Sequence, residues 1–236
     1  MILLSSYNIR KAIASDWRRR PERTLTVLEE VGADIFALQE ADRRFGPRLA
    51  AVPLPLMFGH SRYRPVPYDV RPGSLGWHGN AILVSDRVEI LRHDVLHLPV
   101  LEPRGAVLAD LRVAGTELRV VGMHLDISGL WRRAQIRSIL AQLAVQPTQL
   151  PTVLMGDSNE WRRTGGFLRD LGHHFRIADC GPSFPARSPV GPLDRILVGP
   201  GLAIADAGAH SSAAARTASD HLPIWCKVVP EGPDAP

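Results

Sequence analysis

Eight polar side chains close or open short apolar runs along this chain, and their spacing constrains the fold more than any other feature. They are Asn8, Glu40, Asn80 and Arg104, separated by 32, 40 and 24 residues, then His124, Asp157, Asp194 and His221, separated by 33, 37 and 27. A polar residue that ends an apolar run marks the place where a strand leaves a core. Ile2 to Tyr7 reads as a strand stopping at Asn8, Pro21 opens a helix with Leu25, Leu28 and Val31 on one face, and residues 34–39 form a buried strand delivering Glu40. The grammar recurs: a strand to His124, a helix with Leu130, Ile136, Ile139, Leu140 and Leu143 on one face, and residues 152–155 leading into Gly156 and Asp157. Further strands are expected at 80–84, 193–198 and 222–229, with a hairpin of 106–113 and 116–124 around Ala114-Gly115. Residues 46–78, rich in Pro, Gly and aromatics, read as an irregular excursion.

Two such halves, each a mixed sheet with a helix on one face, predict an α/β fold: a four-layer α/β/β/α sandwich of two mixed β-sheets with helices outside and all eight positions on one rim. The expected domain is 1–229, with 230–236 a disordered tail. The chain of 236 residues is long enough to bury one sizeable core. Cys180 and Cys226 show neither a disulfide framework nor metal-ligand spacing and read as core thiols. With no basic segment ahead of an apolar start and no long apolar run, a soluble cytoplasmic monomer is expected. The net charge is +4, carried almost wholly by arginine, since Lys11 and Lys227 are the lysines. Guanidinium forks suit phosphate oxygens, but no basic run exceeds Arg18-Arg19-Arg20, so a solvated surface explains the charge equally well.

The strand-end residues supply what phosphate ester hydrolysis requires: oxygen ligands for a hard cation, a group to activate water, and donors around developing charge. Glu40 with Asn8 is an oxygen pair suited to Mg²⁺, with Mn²⁺ as the alternative. In Gly156-Asp157-Ser158-Asn159 the glycine permits a sharp exit, and an extended backbone would point Asp157 and Asn159 the same way to hold one water; the same run also suits an Asx turn. Ser219-Asp220-His221 places an acid and an imidazole side by side with diverging side chains, and Asp194 is a partner for His221 by triad logic.

These runs resemble the endonuclease/exonuclease/phosphatase superfamily, from Tyr7-Asn8-Ile9 through Leu38-Gln39-Glu40, Gly79-Asn80-Ala81, Gly122-Met123-His124, Gly156-Asp157-Ser158-Asn159 and Leu193-Asp194-Arg195-Ile196 to Ser219-Asp220-His221-Leu222-Pro223. The resemblance implies that Asn8 and Glu40 bind Mg²⁺, with Asp220 as a further or outer ligand. It implies that Asp157, helped by Asn159, aligns or deprotonates the attacking water, or that His221 paired with Asp194 is the base. His124, held by Asn80, and Arg104 would contact the phosphoryl group, and cleavage would be in line without a covalent intermediate. Ser158 stands where such proteins carry an apolar residue, which predicts altered packing beneath the site.

The substrate is left open between a small-molecule or phospholipid-headgroup diester, slightly favoured, and DNA, as for a nuclease or an abasic-site repair enzyme. A phosphomonoester is a further alternative, as is a silent binding module, against which the full residue set argues. His60, Tyr63, Tyr68, Trp77 and His78 form either a substrate platform or a loop folded on itself. Trp131-Arg132-Arg133 and Trp161-Arg162-Arg163 are candidate rims for an anionic ligand, including peripheral contact with a membrane.

Overall fold

A computed structural model describes every residue except 44, 45, 47, 70, 100–103, 172, 173 and 233–236. The elements run β1 Ile2–Asn8, α1 Pro21–Val31, β2 Ile35–Gln39, α2 Leu54–His60, β3 Arg64–Pro65, β4 Ala81–Val84, β5 Val88–Leu96, β6 Ala106–Val113 and β7 Thr116–His124. They continue with α3 Gly129–Ala144, β8 Thr152–Asp157, α4 Phe167–Leu171, β9 Arg176–Ile177, β10 Asp194–Val198, β11 Leu202–Ala209, α5 Ala215–Ala218 and β12 Ile224–Pro230. Pro21 takes the first position of α1, where its missing N–H costs nothing, and left-handed Gly32 (φ 64°) ends it.

Two six-stranded sheets form, ordered β11-β12-β1-β2-β4-β3 and β5-β6-β7-β8-β10-β9. Period-two alternation divides their apolar residues. Ile35, Ala37, Ile82, Val84, Val107, Ala109, Val120, Val153, Met155 and Ile196 fill the layer between the sheets. Phe36, Leu38 and Leu83 turn outward beneath α1 and α2, and Val121, Leu154 and Leu197 outward beneath α3 and α4. The four-layer α/β/β/α sandwich expected from the sequence is the observed architecture.

The expected halves differ from the observed sheets in one respect. β6, the last core strand of the first half, pairs with β7 in the second sheet, and β12, the last of the second half, pairs with β1 in the first. Each sheet is therefore completed by two strands from the other half, β5 with β6 and β11 with β12, which locks the halves together.

Several local expectations are corrected. Leu130, placed on the buried face of its helix, is 81% exposed, because the face over the sheet begins a turn later with Ile136, Ile139 and Leu143 and the partly buried Leu140. The 46–78 segment contains α2 and β3. Its two tyrosines fold inward, while Phe58 and His60 are exposed: buried Tyr63 donates to Ala33 O (2.9 Å) and meets Phe36 edge-on, and Tyr68 donates to Leu108 O (3.3 Å). Pro230 and Glu231, expected in the tail, are bonded: Pro230 pairs with Leu202 and the Glu231 N–H donates to Gly201 O (3.0 Å). Residues 233–236 lie outside the described ones. Cys180 and Cys226 are free and buried. Among the described residues no helix is long and apolar enough to cross a membrane.

Candidate active site

Parallel pairs β1–β2 and β7–β8, each flanked by antiparallel strands, bring all eight marked positions to one end of the sandwich. β8 approaches β7 so closely that a Cβ on Gly156 would lie 1.8 Å from Met123 O; glycine is required there for that contact. This sets Asp157 directly opposite His124 on one side and Asp194 on the other.

Asp157 is the junction between the sheets. Its Oδ2 accepts from Asn8 Nδ2 (3.0 Å) and faces His124 Nε2 (3.3 Å) and His221 Nε2 (3.8 Å). Burial alone would raise its pKa. The bond and charge of His124, the charge of His221 and the Asn159 N–H outweigh burial and hold the carboxyl well below the usual range. His221 Nδ1 lies 2.8 Å from Asp194 Oδ2, which also accepts from the Ser183 hydroxyl. Burial would lower the imidazole's pKa, but Asp194, then Asp157 and Asp220, push it up to about 10.

Glu40 and Asp220 sit beside this group and are held by a short segment after β1. Residues Arg10, Lys11 and Ala12 all have positive φ, as does Glu40 itself (52°), so left-handed strain is concentrated at the rim. Lys11 Nζ pairs with Glu40 Oε2, and Arg10 Nε with Asp220 Oδ2 at 3.3 Å. Burial raises the Glu40 pKa, while His124, Lys11 and Arg104 bring it below its ordinary value. Asn8 Oδ1 accepts from the Arg10 N–H (3.0 Å). Arg104 contacts His124.

Two expected contacts are different. Asn159 does not extend beside Asp157: it is left-handed (φ 50°), its N–H closes an Asx turn on Asp157 Oδ1 (3.0 Å), and its Nδ2 donates to Leu125 O (2.8 Å). Asn80 was expected to hold His124, but its Nδ2 donates to Gly105 O (2.9 Å) and Trp77 O (3.4 Å), so its described bonds position the segment carrying Arg104. Ser158 is buried, and its Oγ and N–H both donate to Leu193 O, at 2.7 and 2.8 Å. The polar residue beneath the site thus clamps the strand that presents Asp194. Lys11, Arg10 and Ser183 were not foreseen; of these only Lys11, one of two lysines, carried a sequence signal.

Asp157, Asp194 and His221 present ligand atoms within 4.8 Å of one another, a group able to hold a metal. Asp194 Oδ1 is buried without a hydrogen-bond partner, and two carboxylates beside one imidazole are a set that fits a divalent cation.

Comparison with curated proteins gives no match. Solved structures share the fold over nearly the whole chain. A functionally unknown conserved protein from Enterococcus faecalis is 20% identical (TM-score 0.78; 98% of this chain, 100% of that one). A mannosyl-6-phosphatase from Bacteroides thetaiotaomicron is 18% identical (0.77; 97% and 100%), and D. rerio TDP2 complexed with a single-strand DNA product is 16% identical (0.75; 97% and 98%). The family model described as Endonuclease/Exonuclease/phosphatase family matches residues 5–221, and this chain, with its buried Asp-Asp-His group at the rim of a four-layer sandwich, belongs to that family.

Proposed function

We propose that the protein is a Mg²⁺-dependent phosphodiesterase that hydrolyses its substrate by in-line attack of water. The observation that carries this reading is the convergence of Asn8, His124 and His221 on one oxygen of Asp157 at the joint between the sheets. A carboxylate so placed, kept ionised by these donors, aligns a water for attack. His221, fixed through Nδ1 by Asp194, presents Nε2 to the same centre, and His124 beside Arg104 adds donors for phosphoryl oxygens. Asn159 acts by holding the turn that aims Asp157. Asn80 acts by holding Gly105, next to Arg104.

Glu40 and Asn8 would hold the ion, with Asp220 farther out; Mn²⁺ would fit the same oxygens. We place it there because an ion on Asp157, Asp194 and His221 would compete with the bond between Asp194 and His221 Nδ1. When bound, such a cation neutralises charge on the phosphoryl oxygens. Lys11 and Arg10 must then yield their carboxylate partners.

Turnover of bis-p-nitrophenyl phosphate with Mg²⁺, abolished by EDTA, is the expected result. Supercoiled plasmid, an abasic duplex, phospholipids and p-nitrophenyl phosphate in the same panel separate diesterase, nuclease and monoesterase readings. EDTA-insensitive turnover, or none on any substrate, would sink the proposal.

A further inference from the structure

The loops leaving the catalytic rim and the first turn of α3 expose Trp17, Ile127, Leu130, Trp161 and Val190, each between 58% and 81% accessible. Apolar side chains this exposed are unremarkable singly, but a contiguous set marks an interaction surface. Direct contacts trace the set as one arc around the mouth of the site. Trp17 lies on the Arg10 guanidinium (4.3 Å), which pairs with Asp220. Ser15, two residues earlier, accepts from Arg187 (3.1 Å) in the loop that carries Val190. Gly191 sits against the Trp161 ring, where a Cβ would come within 2.8 Å. Glu160, adjacent to Trp161, pairs with Arg132 (2.9 Å), whose guanidinium donates to Ile127 O (2.6 Å). Trp161 also meets Phe184 edge-on (5.9 Å), and Phe184 lies against His221 (4.9 Å). The two exposed tryptophans therefore stand on either side of Asp220-His221, each one residue removed.

The arc is also positive. Arg18, Arg19, Arg162, Arg163 and Arg187 are exposed on these loops and Arg133 on α3, while Asp16 is paired with Arg20 and Glu160 with Arg132. Stacking on nucleic-acid bases would use the tryptophans but leaves Ile127, Leu130 and Val190 without a purpose, since they have no π face. An anionic bilayer engages all three classes: aliphatics enter the acyl boundary, indoles settle at the interface, and guanidinium groups meet headgroup phosphates. We propose that this arc docks the catalytic face on an anionic lipid surface, which makes a phospholipid headgroup the substrate class. The substrate part rests on the phosphodiesterase reading above.

Sedimentation of the full chain with phosphatidylcholine vesicles, and with equimolar phosphatidylcholine and phosphatidylglycerol, tests the docking. Binding to the mixed vesicles, weaker binding to the neutral ones and a blue shift of tryptophan emission are expected. The double variant I127S/L130S, whose side chains are in solvent, should bind the mixed vesicles at least about tenfold more weakly at an unchanged melting temperature. Absence of vesicle binding overturns the docking, as does I127S/L130S binding equal to the parent. Salt-sensitive binding of oligo(dT) that quenches the tryptophans, without vesicle binding, overturns it in favour of single-stranded DNA. Turnover of the soluble diester needs no vesicle, so a protein that hydrolyses it and ignores lipid loses the docking alone.

Discussion

Asn80 Nδ2 donates to Gly105 O at 2.9 Å, and Asp194 Oδ2 meets His221 Nδ1 at 2.8 Å. These contacts hold equivalent places in the two halves. Each joins the start of the outer antiparallel core strand of one sheet, β4 or β10, to the segment entering the strand exchanged into the other, β6 or β12. The frames match in finer detail: β5 on β6 and β11 on β12 both carry a register shift, at Ile90/Arg92 and at Ile204/Asp206. The side chains do not match. The first half gives its contact to a backbone carbonyl and pairs Glu40 with Lys11, whereas the second pairs a carboxylate with an imidazole and leaves Asp157 between two histidines. A repeated frame thus gives paired positions, and under the proposed function the exchange of residue types divides ligand duty from proton chemistry.

Converting one contact into the likeness of the other gives the largest expected effect. Asp194→Asn should lower kcat by about 10³-fold or more, because the imidazole loses its charged partner. Asn80→Ala should cost about 1–2 kcal/mol of stability in urea unfolding and less than about tenfold in kcat. Equal kinetic losses would show that the halves share the catalytic work. Gly156→Ala should destabilise by roughly 3 kcal/mol or more, as the new methyl meets Met123 O with backbone on both sides. The equivalent position in the first half is Gln39, a buried side chain, so this close approach belongs to the second half.

A pH series tests what His221 adds to the second half. In metal-free protein, His221 has its pKa raised from an ordinary 6.5 to about 10, so its stabilising contribution is complete below 6.5 and is lost as the pH rises through 10. Melting temperatures in EDTA should fall across that window, and less so in His221→Gln; parallel curves would refute the assignment. The smallest effect is expected of Ser158→Ala. It removes one of two bonds to Leu193 O, so a loss of about 1 kcal/mol in chemical denaturation is expected, with turnover changed only a few-fold.

The interior strands were legible because their apolar runs stop abruptly at polar ends. β5 and β11 were not, since they lie at sheet edges, alternate poorly and take their place by pairing with β6 and β12. The eight marked positions were legible as strand ends, and their gathering at one rim followed from strand direction. The bonding of Asn80 and Asn159 was not, because an amide next to a turn has several backbone partners within reach. Ser183 gave no signal of its bond to Asp194.

The sequence by itself determined where strands end, which polar residue stands at each end, and that the pattern occurs twice. The tertiary structure decided the exchange of β6 and β12 between sheets, the pairing of Lys11 with Glu40 and Arg10 with Asp220, and the meeting of Asn8 with Asp157 across 149 residues. Periodicity is a local property of the backbone. The partner of a buried polar group is chosen among chain segments brought together only by packing the two sheets.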